Sequence, residues 1–156
     1  MERQQSGSYK ENWGLTELDA ALHQLKEARW PLQSLIVTRI ILVADAMLIL
    51  VTAFYWPCNL KVLDLRGCHV GSALYLLHFP SFQVLEELYL RRNGLEQKHF
   101  AAVVTSFWQF LRVLDLSQNR LCMLSVGLLT TAPWPVMQEL YLSSTRLDGA
   151  MLETLV

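Results

Sequence analysis

One arrangement of leucines returns four times along the chain at a nearly constant interval. Leu111, Leu114, Leu116, Asn119 and Leu121 spell L-x-x-L-x-L-x-x-N-x-L, and Leu85, Leu88, Leu90, Asn93 and Leu95 spell it upstream. Leu60, Leu63, Leu65, Cys68 and Val70 repeat it with cysteine in the asparagine place, and Met137, Leu140, Leu142, Thr145 and Leu147 repeat it with threonine there. The anchors Leu60, Leu85, Leu111 and Met137 stand 25, 26 and 26 positions apart, an interval that chance leucines do not keep. Each unit reads as a short strand that turns sharply into a returning segment. A unit of that size cannot bury its apolar side alone, so the chain must stack the units against one another.

A weaker copy precedes these. Leu32, Leu35, Val37 and Leu42 take the apolar places 28 positions ahead of the Leu60 set, with Ile40 where asparagine should stand. The same region supports a rival reading, because residues 35–56 form a run of 22 with almost no charge, long enough for a membrane span. Arg39 and Asp45 oppose it, each costing roughly 2.5–3.5 kcal/mol at mid-membrane, although Arg39 lies near one end. The repeat explains the same residues with fewer conflicts, since Ala46, Leu50 and Phe54 follow Leu42 at steps of four as the inner stripe of a returning helix.

The remaining segments fit around this register. Residues 1–13 have no apolar periodicity and read as a disordered lead to a domain over 14–156. Leu15, Leu18, Leu22 and Leu25 predict an amphipathic helix over 15–28, placed to cap the amino-terminal end of the stack. Later returning halves follow Leu95, His99, Val103 and Phe107, then Leu121, Ser125, Leu129 and Pro133, while 71–82 predicts a shorter helix followed by a loop. Leu147, Met151 and Leu155 start a last helix with no polar cap behind it, an apolar edge open to self-association. Trp30-Pro31, Trp56-Pro57, Phe79-Pro80, Phe107-Trp108 and Trp134-Pro135 mark the ends of returning segments, where proline stops a helix and aromatic rings pack.

Composition removes several functions. A formal charge of −1 leaves no basic excess for nucleic acid. The polar opening MERQQSGSYKEN lacks the apolar run of a secretory signal, and three cysteines at irregular spacing suit a reducing compartment, so a cytoplasmic location is expected. His23, His69, His78 and His99 with Cys58, Cys68 and Cys122 show no metal-ligand spacing. Cys68 and His69 are chain neighbours that point apart, Glu86 and Glu87 read as solvated charges, and no Gly-rich phosphate loop occurs. No enzymatic activity and no cofactor are expected.

The asparagine place carries its own physics. Where the chain leaves the strand, buried backbone groups lose their ladder partners, and an amide supplies both a donor and an acceptor. Asn93 and Asn119 do this fully, Thr145 and Cys68 in part and Ile40 not at all, which makes the first strand unit the least stable.

With helical returning halves and a 25–28 residue period, the sequence resembles the ribonuclease-inhibitor-like class of intracellular leucine-rich-repeat proteins. The resemblance implies an α/β solenoid of about five strand units, a right-handed β-α superhelix with parallel strands on the concave face and helices on the convex face. It also implies a protein partner held on the concave face, at outward strand positions. These are Ser34, Ile36 and Thr38; Val62, Asp64 and Arg66; Glu87, Tyr89 and Arg91; Val113, Asp115 and Ser117; and Glu139, Tyr141 and Ser143. Asp64, Arg66, Glu87, Tyr89, Arg91, Asp115, Glu139 and Tyr141 are the expected contact residues, tyrosine and arginine being the side chains that most often carry interface energy. The alternatives are a membrane-anchored repeat protein with 35–56 as the span, a regulator of a small GTPase, and a solvated face with no partner.

Overall fold

A computed structural model of the protein describes residues 15–28, 32–42, 44–53, 59–78, 82–106, 108–147, 149, 150 and 153. Along the chain run α1 (Leu15–Ala28), β1 (Ser34–Ile36), α2 (Ala44–Ala53), β2 (Val62–Asp64), a 3-10 helix (Val70–His78), β3 (Glu87–Tyr89), α3 (Gln97–Thr105), β4 (Val113–Asp115), α4 (Met123–Thr130) and β5 (Glu139–Tyr141). The five strands form one parallel sheet in sequence order. Each returning helix packs on the next, α1 on α2, α2 on the 3-10 helix, that helix on α3, and α3 on α4.

Leucine spacing sets the sheet register. Leu35, Leu63, Leu88, Leu114 and Leu140 are direct cross-strand partners in one row. The first four are buried, with flanking Leu60, Leu65, Leu85, Leu90, Leu111 and Leu116 fully so, and each such side chain stabilises the stack by about 1.5–3 kcal/mol. Leu140, on the edge strand β5, is 36 % exposed, whereas Leu35 on the other edge strand, β1, is buried.

The residues of the rival membrane reading divide between two elements. Leu35 and Ile36 lie in β1, the chain turns at Arg39 with φ of 62°, and α2 is ten residues long. Among the described residues no helix is long and apolar enough to cross a membrane. Ala46 and Leu50 are buried as the stripe requires, joined by Met47, while Phe54 lies outside the described residues.

The returning halves depart from expectation in three places. The segment after β2 winds as a nine-residue 3-10 helix that buries Ala73, Leu74, Leu76 and Leu77. In α3 the inward side chains are Phe100, Val103 and Val104, and His99 sits beside that stripe, half-buried. Pro133 is exposed beyond the end of α4, whereas Ser125 and Leu129 face inward. Trp108 is buried and stacks on Trp134 with centroids 6.2 Å apart, the packing role expected of these rings. The lead at 1–13, the Trp30, Trp56, Phe79 and Phe107 markers, and Met151 and Leu155 lie outside the described residues, while Gly149, Ala150 and Glu153 are helical.

The asparagines work between units. Asn93 Oδ1 accepts the backbone N–H groups of Cys68 at 3.1 Å and Val70 at 3.2 Å, and its Nδ2 donates to Leu65 O at 2.9 Å. Asn119 repeats this one unit on, accepting from Asn93 and Leu95 at 3.0 and 3.1 Å and donating to Leu90 O at 2.9 Å. Cys68 donates its thiol to Val37 O at 3.0 Å, and the Thr145 hydroxyl donates within its own turn, to Leu142 O at 2.5 Å.

Candidate functional site

Period-2 alternation turns two rows of side chains away from the core. Sheet register aligns Ser34, Val62, Glu87, Val113 and Glu139 in one, and Ile36, Asp64, Tyr89, Asp115 and Tyr141 in the other. The strands VLD and ELY alternate from β2 to β5, so an aspartate always has a tyrosine beside it.

That alternation shelters the aspartates. Asp64 and Asp115 face outward yet are only 3 % and 9 % exposed. Asp64 Oδ1 accepts the Arg66 backbone N–H at 3.1 Å, and its two oxygens hold the Arg66 guanidinium through Nε at 2.9 Å and Nη2 at 2.5 Å. Asp115 Oδ1 accepts the Ser117 backbone N–H at 2.9 Å. Both carboxylates therefore organise their neighbours and leave little surface to touch. The hydrogen-bonded Asp64 carboxylate raises the Arg66 pKa against the opposing effect of burial.

Arg66 in turn lies over the Tyr89 ring, 5.5 Å from its centroid, a cation–π contact across the β2–β3 boundary. Tyr89 O–H donates to Glu87 Oε2 at 2.8 Å, and Tyr141 O–H makes the same bond to Glu139. Burial and the Glu87 acceptor push the Tyr89 hydroxyl up to about 12, and the Glu139 bond raises that of Tyr141. Asp64, Arg66, Tyr89 and Glu87 thus form one connected group. Arg91, Glu139 and Tyr141 are exposed, Tyr141 at 48 %.

Beside the strands lies a second set of side chains, which shares Thr38, Arg66 and Arg91 with the outward positions that alternation predicts. The equivalent turn position of each unit holds Arg39, Gly67, Arg92, Gln118 and Ser144, all left-handed with φ of 62°, 73°, 56°, 57° and 57°. An open cleft of ≈ 880 Å³ runs along these turns, lined by Thr38, Arg39, Ile41, Arg66, Gly67, His69, Arg91, Arg92 and Gln118. The signal for it was in the sequence, as arginines at the two places before the asparagine position. Among the described residues no group of three or more His, Cys, Asp or Glu side chains is placed to hold a metal ion.

A family model described as leucine-rich repeat matches residues 57–73. No curated protein matches the sequence. Among solved structures, the actin-binding site 2 of leiomodin-1 superposes with a TM-score of 0.66 at 14 % identity, over 88 % of this chain and 84 % of that one. At that identity the likeness is one of fold.

Proposed function

The chain has a leucine-rich-repeat fold, and we propose that it is a protein-binding module whose partner sits on the outer face of the five-stranded sheet. The observation that carries this reading is the connected group of Asp64, Arg66, Tyr89 and Glu87, which holds an aromatic ring and a guanidinium in fixed positions before any partner arrives. Side chains already held lose less conformational freedom on binding. Tyr89 and Tyr141, repeated two strands apart, are the anchors, and Arg66, Arg91, Glu87 and Glu139 surround them. Asp64 and Asp115 hold the others in place from beneath.

The reading includes the ribonuclease-inhibitor-like class, with the strands on a concave side and the helices on a convex one. A 25–28 residue period and helical returning halves support it. The fold neighbour supports the binding role, since a similar sheet-and-helix stack serves leiomodin-1 as an actin-binding site, and actin is the first partner to try. Co-sedimentation with actin and a proximity-labelling screen are each run on the full chain and on Tyr89→Ala/Tyr141→Ala. The expected result is a partner set, actin or other, that the double variant loses while keeping its helical circular dichroism. An unchanged partner set in the double variant rules out the sheet face.

A further inference from the structure

The turns that follow the strands divide charge unevenly. Positions 38–41, 66–69, 91–94, 117–120 and 143–146 hold Arg39, Arg66, Arg91, Arg92, Arg120 and Arg146, and none of the chain's 14 acidic residues. The chain as a whole carries −1, so this is a local strip and no general excess. Arg39, Arg66, Arg91, Arg92 and His69 are exposed around the ≈ 880 Å³ cleft. Of the ion pairs among the described residues only Arg66–Asp64 reaches this rim.

Four features make the strip more than a row of loose cations. Asp64 occupies the Arg66 Nε and one Nη2 hydrogen, so the remaining three guanidinium hydrogens project from a fixed fork. Arg39 and Arg92 occupy left-handed positions that cost an L-residue about 1–2 kcal/mol, whereas the unit between them has glycine at the same place. Gly67 lies directly against Arg39, since a Cβ there would meet Arg39 Cγ in van der Waals contact at 3.7 Å. At one end Ile41 is 62 % exposed and adds a single large apolar contact.

We infer that this cleft binds an extended acidic segment of a partner protein, with carboxylates held by Arg39, Arg66, Arg91 and Arg92 and one large apolar side chain against Ile41. This deepens the protein-binding reading and rests on it for the class of partner. An extended chain presents every second side chain to the same side about 6.6 Å apart, a longer step than the strand spacing of about 4.8 Å, and the long arginine stems span the difference to place guanidiniums on carboxylates. The adjoining strand face carries Glu87, Asp64, Asp115 and Glu139, which repel the broad phosphate surface of a nucleic acid or an anionic membrane and confine an anion to the rim.

The test is fluorescence anisotropy of a labelled oligoglutamate peptide containing one leucine, titrated with the full chain. Saturable binding that weakens as salt rises is expected, with a loss of roughly tenfold or more in Arg39→Gln/Arg92→Gln, from removed charge-assisted bonds. Arg39→Gly/Arg92→Gly gives the same loss with a retained fold, because glycine suits both turns. Arg112→Gln/Lys98→Gln removes equal charge elsewhere and leaves affinity unchanged. Tyr141→Ala also leaves it unchanged, so failure of the sheet-face reading and failure of this one are read separately. The inference is overturned if no saturable binding occurs, if Arg112→Gln/Lys98→Gln or Tyr141→Ala weakens binding as much as the rim variants, or if an oligonucleotide or an anionic vesicle of equal charge binds more tightly.

Discussion

Asn93 and Asn119 show how much one side chain contributes when its partners have no alternative. Each amide serves two buried N–H groups and one carbonyl of the preceding unit. Removing it strands those groups away from water, so Asn93→Ala is expected to lower the unfolding free energy by at least about 2 kcal/mol in urea titration. Thr145→Ala, which loses one bond inside its own turn, is expected to cost less than about 1.5 kcal/mol. Equal costs for the two would show that the bridges between units contribute nothing special. That an amide belonged at these positions was legible from the template. That it reaches back to the previous unit was not, because nothing local says which backbone groups lie opposite.

At the scale of elements, the 3-10 helix and α3 meet at a contact with almost no slack. A Cβ on Gly71 would stand 2.9 Å from His99 Cε1, and His99 Nδ1 accepts the Glu96 backbone N–H at 3.0 Å at the start of α3. Gly71→Ala is therefore expected to destabilise by about 1–3 kcal/mol, and by much less in a His99→Ala background, a coupling that a double-mutant cycle measures. The same site is sensitive to pH. Burial first, then Lys98, holds the His99 pKa below its usual 6.5, so the unfolded chain binds the proton more readily. Its contribution is complete above 6.5 and is lost as pH falls through the lowered folded value. Urea midpoints at about pH 7.5 and about pH 5.5 should differ less in His99→Gln than in the wild type. A step-of-four reading put His99 on the inner stripe; Phe100 took that place because the helix, not the sequence interval, sets the angle toward its neighbours.

Across the whole molecule, stability should vary along the stack. The first unit has Ile40 at the amide position and thus no side-chain bridge of the Asn93 kind, while the units at β3 and β4 have both asparagines. Hydrogen exchange is expected to run faster over residues 32–53 than over 85–104, and maximal protection at 32–53 would contradict it. What the sequence determined alone was the part of the structure governed by local period: five strands in register, leucines inward, a turn after each, and a helix over 15–28 where α1 is found. Tertiary structure decided the rest. Asp64 and Asp115 point outward as alternation requires, yet they are covered, because burial of an outward side chain depends on residues about 25 positions away on the next strand. The cationic cleft has the same origin, since arginines from separate units become neighbours only when the turns are stacked. Periodicity is a property of a segment, whereas a surface is a property of segments brought together.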